Sequence, residues 1–370
     1  METIRPLVNS APLAFPIEDV KSSMAITELN WRARLAEGLV IPAMPLTLHS
    51  DGTWSQQHQK ALLRYYVEAG AGGLAVGVHS TQFAIRSPAH NLFEPVLRHA
   101  SETIEQCASH DFVRIAGLCG DTKQAQLEAA FAMESGYHCG LLSLTAFHDQ
   151  SEQRALEHVR DIAKILPIVG FYLQPSVGGR VFSYQFWRQF CDIDNVVAIK
   201  IAPFNRYYTW DVIRAVIESG RDDITLYTGN DDNIIADLLT PFCWKGQTRF
   251  IAGGLLGQWG VWTKRAVELL KEVQSARVSD RIDSRWLTDN ACLTDANAVL
   301  FDAANEFAGC IPGILEVLRR QGLAPSNRCL DPNETLSPGQ AEELDRVCTA
   351  YPHLVDDDFV SENLERWLND

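Results

Sequence analysis

Eight short apolar segments of β type recur between residues 38 and 254, each separated from the next by a stretch of helical period, and no other feature limits the fold of this chain so strongly. The segments are GLVIPAMPLTL (38 to 48), GGLAVGV (72 to 78), FVRIAGLCG (112 to 120), CGLLSLT (139 to 145), PIVGFYL (167 to 173), VVAIKIA (196 to 202), ITLYTG (224 to 229) and RFIAGG (249 to 254). The spacers, among them SQQHQKALLRYYVEAG, TKQAQLEAAFAMESG and SEQRALEHVRDIAKIL, place apolar residues at intervals of three and four and begin or end on capping residues. Eight βα units in about 220 residues is the count and size of a (β/α)8 TIM barrel, an α/β fold. A doubly wound open sheet would not require eight units, and no GxGxxG follows the first strand.

The barrel is expected over residues 37 to 258. Residues 1 to 36 form a short N-terminal extension with three prolines and one helical pattern, ITELNWRARLAEG, suited to plugging the barrel bottom or reaching a partner subunit. Residues 259 to 370 read as a C-terminal helical appendage built from QWGVWTKRAVELLKEV, LTDANAVLFDAANEF, PGILEVLRRQGL and SPGQAEELDRVCTAY. The acidic run at 356 to 358 reads as solvated surface.

Composition narrows the function. With 32 basic against 47 acidic residues the formal charge is -15, which repels phosphate backbones and anionic membranes and argues against a nucleic-acid partner. No apolar run approaches the roughly 18 residues of a membrane span, and METIRPLVNSAPLAF lacks the basic start and apolar core of a secretory signal, so the cytoplasm is the expected compartment. The 9 cysteines are odd in number and widely spaced without a CxxC pair, which reads as reduced core thiols. No HExxH or clustered histidine and carboxylate pattern points to a metal.

Within NVVAIKIAPF (195 to 204), Lys200 lies late in the sixth strand among residues that read as buried. Alternation puts it on one face with Ala198 and Val196, opposite Ile199 and Ile201. Catalytic side chains of such barrels sit at the C-terminal strand ends, and an apolar surround favours the neutral, nucleophilic amine that condenses with a ketone to a Schiff base. The competing reading is a lysine that snorkels or pairs with an acid such as Asp231. Tyr172 occupies the corresponding late position of the fifth strand, where a phenol beside Lys200 would shuttle protons, although an isolated tyrosine there also fits as an aromatic filler.

The stretches FYLQPSVGG, NVVAIKIAPFN and LYTGNDD resemble the Schiff-base lyase family that includes dihydrodipicolinate synthase and N-acetylneuraminate lyase, as does the opening GLVIPAMPLTLHSDGTWSQQHQKALLRYYVEAGAGGLAVGV. The resemblance covers roughly residues 36 to 320. It implies that Lys200 is the Schiff-base lysine and Tyr172 the proton-shuttling tyrosine. It also implies that Gly229, Asp231 and Asp232 form the loop that touches substrate hydroxyls in some members. A homo-oligomer, tetramer or dimer, and a reaction needing no metal or organic cofactor follow from the same resemblance.

The chain also departs from the family pattern. Where two hydroxyl residues normally hold the keto-acid carboxylate after strand two, this chain has GVHSTQF, so Gly77, Val78, His79, Ser80 and Thr81 are the candidates for that contact. Phe147 and His148 stand where a tyrosine is usual after strand four, and Val177 replaces an arginine of dihydrodipicolinate synthase. Lysine biosynthesis is therefore not the expected role, and Val78, Phe147 and Val177 point to an apolar acceptor pocket. His79 and His148, in loops of the C-terminal face, are candidate pocket contacts. Gly253 opens GGLLGQWG, where phosphate binding and close backbone packing explain the glycines equally well. The expected function is that of a class I lyase or aldolase acting on pyruvate or a 2-keto-3-deoxy acid, with a small 2-oxo acid and an aldehyde as partners. A dehydratase or hydratase-aldolase using the same imine, and a non-catalytic keto-acid-binding barrel, are the alternatives.

Overall fold

The computed structural model describes residues 31 to 279 and 281 to 369. Residues 31 to 36 form helix α1, and the strands that follow are β1 (Val40–Pro42), β2 (Gly73–Val76), β3 (Val113–Leu118), β4 (Cys139–Leu142), β5 (Ile168–Leu173), β6 (Val196–Ala202) and β7 (Thr225–Thr228). A two-stranded hairpin, β8 (Phe242–Trp244) and β9 (Gln247–Arg249), precedes β10 (Gly253–Leu256). The parallel sheet runs in the order β1-β10-β7-β6-β5-β4-β3-β2 and closes where Ala43 bridges Ala75. This is the (β/α)8 barrel read from the sequence.

Helices α2 (Gln56–Ala69), α3 (Phe93–Cys107), α4 (Thr122–Glu134), α5 (Glu152–Ala163), α6 (Tyr184–Phe190), α7 (Arg206–Ser219) and α8 (Ile234–Leu239) alternate with the strands. After the barrel come α9 (Thr263–Ala276), α10 (Arg285–Leu300), α11 (Cys310–Arg320), α12 (Gln340–Ala350) and α13 (Asp357–Asn369). Each strand is covered by the barrel interior on one side and the helices on the other, so two apolar layers form. The inner layer includes Ile41, Ile115, Leu141, Val169 and Phe171, and the outer one joins Ile199 and Ile201 to Trp187 and Phe186 of α6. Small side chains alternate with large ones inside, which lets the barrel fill without a pore.

The end opposite the site is closed by α1. Trp31 and Leu35 belong to the inner layer, Trp31 stacks on His138 with ring centroids 5.5 Å apart, and the Tyr227 hydroxyl donates to the Leu35 carbonyl at 2.6 Å. Of the two roles considered for the extension, plugging the barrel bottom therefore holds for residues 31 to 36. The remaining residues, 1 to 30, lie outside those described.

Four local readings need correction. The hairpin was not legible as such: Lys245 and Gly246 both take positive φ, 49° and 78°, a turn that pairs two three-residue strands too short to show alternation. In β6 the register slips between Ile168 and Val169 of β5, so Val196 turns outward while Val197 joins the inner layer with Ala198. Asp356 is not solvated. It is buried where α13 begins, accepting hydrogen bonds from the Tyr65 hydroxyl (2.8 Å) and the Lys264 amide (3.0 Å), and it anchors a helix absent from the sequence reading. The cysteines are free among the described residues, but Cys107 and Cys243 are exposed rather than in the core. No helix of the described residues is long and apolar enough to cross a membrane.

Candidate active site

A cavity of about 80 Å³ opens at the C-terminal ends of the strands, with Lys200 in its wall. A space of that size accommodates on the order of six non-hydrogen atoms. Lys200 is buried, its register partner on β5 is Phe171, and its Nζ lies 4.5 Å from the centre of the Phe171 ring. Burial drives the lysine pKa down from its ordinary value to about 8, with the charge of Asp231 acting in the opposite sense. Among the described residues, no hydrogen bond or ion pair holds Nζ. The geometry is therefore not that of a lysine locked in a salt bridge.

Gly229 gives the lysine its path. A Cβ at this position would lie 2.5 Å from Lys200 Cε and 2.7 Å from Ala202 Cβ, so only glycine lets the stem pass. Asp231, two residues on, lines the same cavity and is half-buried. Its Oδ1 accepts the Gln258 amide at 3.3 Å. Burial raises its carboxyl to about 7, which the lysine charge partly offsets. His79 also lines the cavity, and burial, aided by Lys200, lowers its imidazole to about 4, so it is neutral at physiological pH.

Tyr172 is not in the cavity. Because side chains alternate along β5 and Phe171 pairs with Lys200, Tyr172 faces the outer helices. Its ring packs 4.9 Å from that of Trp187 and 6.2 Å from that of Tyr208, and its hydroxyl accepts the Phe182 amide at 3.3 Å. The expectation of a phenol beside the amine is thereby corrected: a one-residue difference of phase on a strand exchanges inside for outside. Tyr172→Phe should accordingly cost about 1 kcal/mol of stability. Any turnover measured for the purified enzyme should stay within about threefold of wild type, where a general acid or base would cost about 10²-fold or more.

The other candidates divide. Val78 and Ser80 line the cavity, although the Ser80 hydroxyl is engaged with the Ala43 carbonyl at 2.8 Å. Thr81 lies beneath it: Oγ1 receives the amides of Gly77 (3.0 Å) and Val78 (3.3 Å) and donates to the Met44 carbonyl, so Thr81 and Gly77 shape the loop rather than touch a ligand. Asp232 points away, 3.8 Å from Arg206. His148 is exposed and paired with Asp149, and Phe147 packs on His158 at 4.3 Å, so neither reaches the cavity. Gly253 sits at the N-terminal end of β10, where a Cβ would meet the Leu39 amide nitrogen at 2.5 Å; close packing, not phosphate, accounts for it. Among the described residues, no cluster of His, Cys, Asp and Glu side chains is placed to hold a metal ion.

The outer wall is apolar and, apart from Val177, which the sequence reading placed in the acceptor pocket, comes from segments that the sequence did not tie to the site. Val177 follows β5, Phe204 follows β6, and Phe301, Phe307, Cys310 and Ile314 arrive from α10, α11 and the turn between them. Phe204 and Phe307 meet edge to face at 6.0 Å, both with positive φ, 51° and 68°. Such backbone costs on the order of 1–3 kcal/mol per residue and is retained where the surroundings demand it. Alternation and period give no sign of this wall, because it depends on how the C-terminal helices fold over the barrel mouth.

Comparison with known proteins adds the family. A model of the dihydrodipicolinate synthetase family matches residues 37–241. The 4-hydroxy-tetrahydrodipicolinate synthase of Clostridium novyi (strain NT) is 27% identical over 193 residues, 51% of this chain and 62% of that protein, so the match spans about three fifths of the relative's length. A monomeric dihydrodipicolinate synthase variant superposes with a TM-score of 0.69 at 20% identity, over 85% of this chain and 97% of the other. The N-acetylneuraminate lyase of Fusobacterium nucleatum gives 0.67 at 14% identity, over 85% and 99%. At such identities the structural likeness speaks for the fold alone.

Proposed function

Because the chain belongs to the dihydrodipicolinate synthetase family, we propose that it is a class I lyase that binds pyruvate, or a 2-oxo acid built on it, as an imine of Lys200. The observation that carries this reading is a buried, unpaired amine facing a small cavity at the catalytic end of a barrel. A neutral Nζ adds to the ketone carbon, water leaves, and the protonated imine draws electrons from the neighbouring carbon. That electron sink serves both aldol cleavage or condensation and loss or addition of water, so an aldolase and a hydratase-aldolase share every step up to the enamine.

The acceptor side of the cavity supports an apolar partner. Phe204, Phe301, Phe307, Ile314 and Val177 offer no donors for the hydroxyls of a sugar acid, and among the described residues no arginine lines the cavity. An aldehyde with an aliphatic or aromatic body fits this wall better than a polyol or a phosphate ester.

Reduction with borohydride in the presence of pyruvate should leave a stable mass increment on the peptide that contains Lys200, seen by mass spectrometry after digestion. No increment with pyruvate or any of a panel of 2-oxo acids would sink the imine. A binding barrel without turnover is the second reading, favoured by the outward-facing Tyr172; it predicts calorimetric binding of keto acids that survives in Lys200→Met.

A further inference from the structure

The missing phenol leaves the proposed reaction without a proton carrier, and the cavity contains one candidate placed for the task. We infer that Asp231 is the general acid and base of this site, acting on the imine that the preceding proposal assigns to Lys200. Both side chains line the same small cavity from neighbouring strand ends, β6 and the loop after β7. Among the described residues they form no ion pair within 4.0 Å, and both border the same cavity space. Among the described residues, only one carboxylate oxygen is hydrogen-bonded, to the Gln258 amide. That bond and the bond from Asn297 Nδ2 to the Asp231 carbonyl (2.8 Å) fix the residue in position, as preorganised catalysis requires.

The burial that raises its carboxyl into the neutral range makes proton transfer in either direction feasible. The other titratable groups nearby are less suited. His79 is lowered out of the working range by burial, the Cys310 thiol is pushed high by burial, and Asp232 is turned to Arg206.

The proton inventory closes on this one residue. Nζ attacks the carbonyl carbon, the π pair moves to oxygen, and oxygen takes the Asp231 proton. The carboxylate then removes a proton from the new ammonium and returns it to the hydroxyl. Water departs as the nitrogen lone pair forms the C=N bond, leaving an iminium beside a carboxylate. Next the carboxylate takes a proton from the adjacent carbon; the C–H pair becomes C=C and the C=N π pair returns to nitrogen, giving the enamine. No oxidant or reductant enters.

The test uses the full chain and pyruvate alone, following exchange of the methyl protons for deuterium by NMR alongside borohydride trapping. Asp231→Asn preserves the Oδ1 acceptor and should slow exchange by about 10²–10³-fold, while His148→Gln, outside the cavity, stays within about fivefold. The wild-type rate should fall on both sides of a maximum between pH 7 and 8, and Asp231→Asn should lose the alkaline fall, which a merely structural role would not alter. Wild-type exchange and trapping with Asp231→Asn within threefold of it would overturn this assignment and leave the imine intact. Absence of both in the wild type would instead overturn the imine. Should Asp231→Asn fail to fold, the wild-type profile decides, since a rate that only rises with pH contradicts the assignment.

Discussion

Lys200→Met is expected to abolish the borohydride adduct and to lower kcat/KM by on the order of 10⁴-fold or more, because among the described residues no other amine lines the cavity to replace the nucleophile. The fold should survive. Methionine follows the same course past Gly229, and the charge it removes was one that burial disfavoured. Loss of that charge lets the Asp231 carboxyl rise further, above about 7, so the Lys200–Asp231 pair leaves no charge in the cavity at neutral pH.

Melting curves check this with a definite sign. The folded variant keeps a proton that the unfolded chain releases near pH 4, so the contribution of Asp231 to stability is fully present below about pH 4 and is lost as pH rises through its folded pKa. In the wild type, Lys200 acts in the other window. Its folded pKa of about 8 lies below the unfolded value near 10.4, the unfolded chain binds more protons between them, and stability rises with pH across that range. The two groups titrate as a pair, so the activity profile should be bell-shaped with apparent values near 7 and 8 belonging to both.

Gly229→Ala carries the second large effect. One methyl group placed 2.5 Å from Lys200 Cε and 2.7 Å from Ala202 Cβ cannot be absorbed by moving the lysine alone, because the alanine is fixed in β6. The amine must be displaced by about 1 Å, and misplacement on that scale costs about 10²-fold in rate. Steady-state kinetics with thermal melts separate this from a general loss of structure: kcat/KM should fall by that factor while most of the enzyme stays folded. Gly253→Ala provides the contrast. Its methyl would strike the backbone of Leu39 at the far end of the barrel, so it should lower the melting temperature without a specific effect on the rate of the folded fraction. If Gly229→Ala retained full activity, the lysine would not be held where the cavity requires it.

The outcomes at β5 and β6 show how far a strand can be read. Lys200 was found because a charge inside VVAIKIA is conspicuous against its neighbours, and alternation with Ala198 gave its face. Tyr172 was misplaced because Phe171, Tyr172 and Leu173 are all plausible on either face, and only the pairing of Phe171 with Lys200 selects one. Asp231 was legible as a candidate contact, but neither its depth nor its free oxygen could be read from GNDD. Thr81 and Ser80 looked like ligand contacts because a hydroxyl in a loop advertises its chemistry and hides its partner, here a carbonyl of the first strand's continuation.

The sequence by itself determined the barrel, the end of it that bears the site and the amine within that site. Periodicity and composition are local properties, and eight repeats of one supersecondary unit admit few closures. Tertiary structure alone decided which aromatic residue faces the amine, which acid shares its cavity and which C-terminal side chains roof it. Those choices depend on register between strands and on contacts between residues more than a hundred positions apart, such as Phe204 with Phe307, and no pattern along the chain encodes a distance across it.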